Sequence, residues 1–144
     1  MYPLLVLLLF GQPLVQGQLI VQADGNIANI FLTGMVDMSG WEFRVEFDQN
    51  ALEATEVLRG ADWQDENYLW HAGRYIQGAA GNPSPVGISG DIHIATIKFN
   101  ILGAGSTLIS LVDVLVADSS GNEIVPEIIN GSLQLRSYPK PVPK

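Results

Sequence analysis

From Gly40 to Asp48 the chain alternates without a break: Trp41, Phe43, Val45 and Phe47 fall on one side, Glu42, Arg44, Glu46 and Asp48 on the other. A period of two predicts a β-strand with one face in a core and one in water. Asp48, Gln49 and Asn50 then make a turn, because short polar side chains bond the neighbouring backbone. Leu52, Val57 and Leu58 return the chain to the apolar layer, and Gly60 stops it. The charged outer face reads either as solvated surface or as a docking surface.

The same patterning continues on both sides of this stretch. Gln18 to Ala23 predicts a short strand ended by the turn dipeptide Asp24-Gly25, and Ile27 to Leu32 a second strand. Thr33 to Ser39 reads as a loop into the central strand. Ala61 to Gly73, acidic and aromatic with no clean period, reads as a structured loop. Arg74 to Ala80 is a further strand, broken off by Gly81-Asn82-Pro83-Ser84-Pro85. In Gly90 to Leu102 the apolar phase slips near Ala95-Thr96, which predicts a β-bulge or a strand buried on both sides. Gly103-Ala104-Gly105 turns the chain into a long β-rich run, Ser106 to Ala117. Asp118 to Asn122 is a hairpin loop, Glu123 to Val125 leads up to Pro126, and Gly131 to Arg136 is the last strand. Residues 137–144 form a Pro-rich tail. With no amphipathic helix of useful length and no internal repeat, the chain predicts an all-β fold, a jelly-roll β-sandwich of about nine strands.

Residues 1–17 differ in kind. Leu4 to Phe10 is apolar but too short for the roughly 20 residues a membrane helix needs. Gly11, Pro13 and Val15-Gln16-Gly17 follow as a small-residue cleavage pattern, so 1–17 reads as a secretory signal peptide and the protein as secreted, extracellular or cell-surface associated. No Lys or Arg precedes the run, and the competing reading is a first buried strand. The domain proper is expected over 18–136, with no stable membrane span.

Composition narrows the function. The 144 residues are 47% hydrophobic and 15% charged, enough for one cored domain. A net charge of −8 with seven Lys and Arg argues against nucleic acid, whose phosphates need clustered cations. Without cysteine there is no disulfide, thiolate metal site or Cys nucleophile. His71 and His93 sit in different contexts and no nucleophile-elbow pattern accompanies them, so a hydrolase triad has no support. Acid pairs such as Glu53/Glu56 and Asp65-Glu66 read as solvated surface rather than glycosidase chemistry. The chain is therefore expected not to be an enzyme.

Several stretches resemble cohesin domains. GWEFRVEFDQNALEATEVLRG is similar to the family's early strand-turn-strand, and Gly90 to Ile124 to its later half, with Ile94-Ala95-Thr96-Ile97-Lys98-Phe99, Gly105-Ser106-Thr107 and a Leu-Val-Asp-Val strand. Asn130-Gly131-Ser132-Leu133 fits its terminal glycine-bearing strand. The likeness runs over residues 18 to 136. It implies a nine-stranded jelly roll that binds a dockerin-type protein module in an extracellular, polysaccharide-related assembly. It also implies that the dockerin lies on one sheet face, with an acidic residue early in the central strand, where Glu42 stands, and a second before the last strand, near Glu123. With Arg44 and Glu46 these are the candidate partner-binding residues. No cofactor is required; calcium belongs to the dockerin in that pairing.

Alternative chemistry stays open at three places. Trp63, Tyr68, Trp70 and Tyr75 crowd one region, as in a carbohydrate-binding module that stacks rings on sugar, although such rings also cap cores. Asp118 and Glu123 offer oxygen ligands for calcium in a loop whose glycine falls too early for an EF-hand. Asn130-Gly131-Ser132 is a glycosylation sequon. Exposed edge strands also permit a structural subunit assembled by strand addition.

Overall fold

The computed structural model describes residues 15–62, 68–72, 76–81 and 87–135. Within them the chain forms nine strands and no helix: β1 (Val15–Asp24), β2 (Ile27–Glu46), β3 (Leu52–Arg59), β4 (Tyr68–Ala72), β5 (Ile76–Gly81), β6 (Ile88–Ile101), β7 (Gly105–Asp118), β8 (Glu123–Ile129) and β9 (Gly131–Leu135). This is the expected β-sandwich.

The architecture turns on β2, whose 20 residues are long enough to serve both layers. Its first part pairs antiparallel with β1, from Ile27↔Asp24 to Thr33↔Gln18, and with β6, from Ile27↔Lys98 to Met38↔Ile88. Its second part pairs with β5, from Gly40↔Gly81 to Val45↔Ile76, and with β7, from Met38↔Asp118 to Glu46↔Ser110. One layer therefore runs β3-β6-β2-β1-β8 and the other β4-β5-β2-β7-β9.

Between the layers lies the core. Trp41, Phe43 and Val45 from the second part of β2 meet Ala28, Ile30 and Leu32 from the first, with Ile92, Ile94, Ile97 and Phe99 of β6 and Ile109, Leu111 and Val116 of β7, all buried. Trp41 stacks on Phe43 at 5.0 Å, and Phe47 meets Phe99 edge-on at 5.1 Å. Each large apolar side chain taken from water here contributes roughly 1.5–3 kcal/mol.

Four local expectations are corrected. Thr33 to Ser39 is a bent continuation of β2, not a loop. Its pairing with β6 shifts register twice, and Gly34 and Asp37 take φ of 65° and 56°, so the strand turns from one layer to the other without ending. The stretch expected as a loop over 61–73 contains β4, paired with β5. Leu58 is exposed rather than returned to the core, because a register shift between Ala54 and Glu56 reverses the phase of β3. The run before Pro126 does not stop there: β8 passes through a buried Pro126, at a register shift in its pairing with β1, where a missing N–H is tolerated. By contrast, the slip expected in β6 is present as a bulge: Ile30 pairs with Ala95 and Phe31 with His93, and Ile94 and Ala95 are both buried.

Residues 1–14 lie outside the described residues, as does the tail from 136. β1 begins at Val15, three residues before Gln18, the expected start of the domain, and its ladder with β2 begins at Gln18. Among the described residues no helix is long and apolar enough to cross a membrane.

Candidate functional site

The outward side of the β4-β5-β2-β7 layer gathers most of the candidate residues. Because Trp41, Phe43 and Val45 point inward, Glu42, Arg44 and Glu46 point outward. Antiparallel neighbours directly opposite each other share a face. Glu42 is thus flanked by Ala79 on β5 and Leu115 on β7, and Arg44 by Gln77 and Val112. Gly40 is flanked by Gly81 and Ala117, and Ala117 in turn pairs with Glu123 at the start of β8. Glu42, Arg44, Glu46 and Glu123 are therefore brought to one face, although Glu123 comes from 77 positions farther along the chain than Glu46.

Small residues leave this face hollow. Gly40, Glu42, Ala79, Gly81, Leu115 and Ala117, with the core-facing pair Trp41 and Ala80, line a shallow, mostly apolar depression of about 410 Å³. Leu115 is 49% exposed beside it. Charges surround it. Arg44 Nη2 lies 2.9 Å from Glu46 Oε1 and 3.1 Å from Asp113 Oδ2, while Glu42 Oε1 accepts a long 3.5 Å bond from Gln77 Nε2. Sequence patterning alone misses Ala79, Asp113 and Leu115. The signal was a single Asp interrupting the apolar run Leu111 to Val116, where strict alternation breaks.

Asp37, also missed, ties one end of the face together. Its carboxylate accepts Gly87 N–H at Oδ1 (2.8 Å) and Ser119 Oγ–H at Oδ2 (2.5 Å), and its carbonyl accepts Ser119 N–H. The Ser119 hydroxyl, then Gly87 N–H, lower the Asp37 carboxyl below its usual range, against an opposing effect of burial. The β7–β8 hairpin, which leads to Glu123, is thereby held to the bend of β2.

Other candidates have local duties or lie elsewhere. Asp118 Oδ1 accepts the N–H groups of Ser120 and Asn122, which closes the hairpin on itself. Among the described residues no three His, Cys, Asp or Glu side chains gather as a metal site. Asn130 Oδ1 accepts Leu111 N–H at 2.9 Å. His93 lies against Phe31 at 4.8 Å, and its Nδ1 accepts Ala61 N–H, so it fastens the segment after β3 to β6. Of the aromatic group, Trp63 and Tyr75 lie outside the described residues, whereas Tyr68 and Trp70 are placed on β4, opposite Ala80 and Gly78.

A scan against protein-family models finds no match, and no curated protein sequence matches the chain. Solved structures do. A non-cellulosomal cohesin from the archaeon Archaeoglobus fulgidus superposes with a TM-score of 0.74 at 20% identity, over 85% of this chain and 93% of its own. The sixth cohesin of scaffoldin B from Acetivibrio cellulolyticus, solved in complex with a mutant Cel5 dockerin, gives 0.75 at 18% identity, over 85% and 100%. The seventh ScaB type I cohesin from Pseudobacteroides cellulosolvens gives 0.76 at 16%, over 91% and 98%. The chain has the fold of cohesin domains.

Proposed function

We propose that this protein is a non-catalytic, secreted cohesin-like module that docks a dockerin-type partner in an extracellular, polysaccharide-related assembly. The observation that carries the reading is the outward face of the β4-β5-β2-β7 layer. An exposed leucine and a floor of Gly and Ala provide a surface that is costly to leave in water, and the carboxylates around it provide specificity. Glu42 sits at the rim of the depression, so it is assigned to the contact, with Arg44, Glu46 and Glu123 around it. That a structural neighbour was solved with a dockerin bound supports the choice of partner. Export is supported by the apolar run Leu4 to Phe10 and the small-residue pattern after it. Cleavage after Gly17 would remove the first three residues of β1, with the Val15↔Val125 pair to β8, and leave the β1–β2 ladder, which starts at Gln18↔Thr33.

The test is capture of dockerin modules from the same genome by the protein in the presence of calcium, beside a Glu42→Arg variant. Capture by the wild type, weakened at least tenfold in the variant (about 1.4 kcal/mol), is the expected result. Retention on an insoluble polysaccharide with no dockerin captured would replace this reading by sugar binding.

A further inference from the structure

Among the described residues two that are not glycine adopt left-handed backbone, and both are aspartates that flank this face: Asp37 (φ 56°) and Asp113 (φ 52°). Asp37 has the structural duties given above. Asp113 does not hold the chain together in the same way, since its side chain is 73% exposed and pairs with Arg44. A side chain kept in the left-handed region carries a steric cost that glycine avoids, and such residues cluster at functional sites.

The backbone at Asp113 has a clear effect. Between the pairs Arg44↔Val112 and Glu42↔Leu115, β2 contributes one residue, Phe43, while β7 contributes two, Asp113 and Val114. This is a β-bulge, and it reverses the in–out phase of β7. Before it, Ile109 and Leu111 are buried; after it, Val116 is buried and Leu115 is turned out beside Ala79 and Glu42. The carboxylate has a second effect. Together with Glu46 it holds the Arg44 guanidinium between two anions, at 3.1 and 2.9 Å. Among the described residues the face therefore presents the carboxylates of Glu42, Glu46, Asp113 and Glu123 around the neutralised Arg44 guanidinium.

From these two effects we infer that Asp113 is a positioning residue of the docking face, kept for binding and not for folding. Its bulge exposes Leu115, and its carboxylate restrains Arg44 so that the face selects a partner with basic rather than acidic side chains opposite Glu42. The inference rests on the docking reading above.

Asp113→Gly separates the two roles. Glycine keeps the left-handed bulge without the steric cost, and an exposed ion pair adds little stability, so the melting temperature is held or raised. Affinity for a same-genome dockerin captured by the wild type falls at least tenfold. Arg44→Met lowers affinity too, and Arg44→Met with Asp113→Gly is no worse than the weaker single variant, because the carboxylate acts through the guanidinium. A melting temperature clearly below wild type in Asp113→Gly, unchanged affinity, or fully additive losses would each overturn the inference while leaving the docking reading intact. Failure of the wild-type protein to capture any dockerin would remove both.

Discussion

At the residue scale, Asp37 shows what a single carboxylate does for this fold. It bonds Gly87, 50 positions on, and Ser119, 82 positions on, from a backbone conformation that aspartate tolerates better than most side chains. Its pKa is lowered in the folded protein, chiefly by the Ser119 hydroxyl and then by Gly87 N–H. The stability it contributes is therefore complete above the ordinary carboxylate value of 3.8 and is lost as pH falls through the depressed folded value. Asp37→Asn is expected to melt below wild type at pH 7, with the gap closing as pH falls below 4; thermal melts at pH 7, 5, 4 and 3 measure it, and a gap independent of pH would refute the assignment. None of this is legible locally. Val36-Asp37-Met38 carries no turn or cap signature, and both partners are fixed only once β6 and β7 are in place. The outward Glu42, Arg44 and Glu46, in contrast, follow directly from the alternation of their own strand.

At the scale of elements, legibility follows the period. The central stretch over Trp41 to Phe47 has one phase, and the inward burial of Trp41, Phe43 and Val45 matches it. β6 announces its bulge through two phases in one apolar run. The bulge in β3 is less legible, because Thr55, which absorbs it, looks like an ordinary polar position, and the bulge in β7 is marked only by Asp113 within an apolar run. Leu58 and Leu115 consequently come out on the solvent side. The bend of β2 is missed for a related reason: Gly34, Asp37, Ser39 and Gly40 carry the composition of a loop, yet here that composition lets a strand change layers. Close approach also sets limits between elements. Gly60, just after β3, is buried and donates to Ile94 O, and a Cβ there would collide with the backbone carbonyl of His93. Gly60→Ala is expected to cost about 1–3 kcal/mol or more, since neither backbone can yield cheaply. Chemical denaturation with an unchanged slope and a lower midpoint would register that loss; an unchanged midpoint would show that the β3–β6 junction is looser than its geometry.

At the scale of the whole molecule, the sandwich and its likeness to cohesins were legible because a jelly roll repeats one simple rule, an inward and an outward residue in turn, and only its interruptions need tertiary information. The net charge of −8 fits a face on which, among the described residues, carboxylates outnumber the Arg44 guanidinium, and it favours encounter with a basic partner. The path of β2 has a further consequence for how the molecule comes apart. A sandwich whose layers are built from separate strands can lose one layer's hydrogen bonds while the other persists. Here the same strand is the partner of β1 and β6 at one end and of β5 and β7 at the other. Detaching it from either layer removes the template of both, so opening is cooperative across the sandwich. Native-state hydrogen exchange should then give the amides of β2 paired with β1 and those paired with β5 the same limiting free energy of opening, that of global unfolding. Two distinct plateaus would mean that the bend at Asp37 is a seam along which the layers part independently.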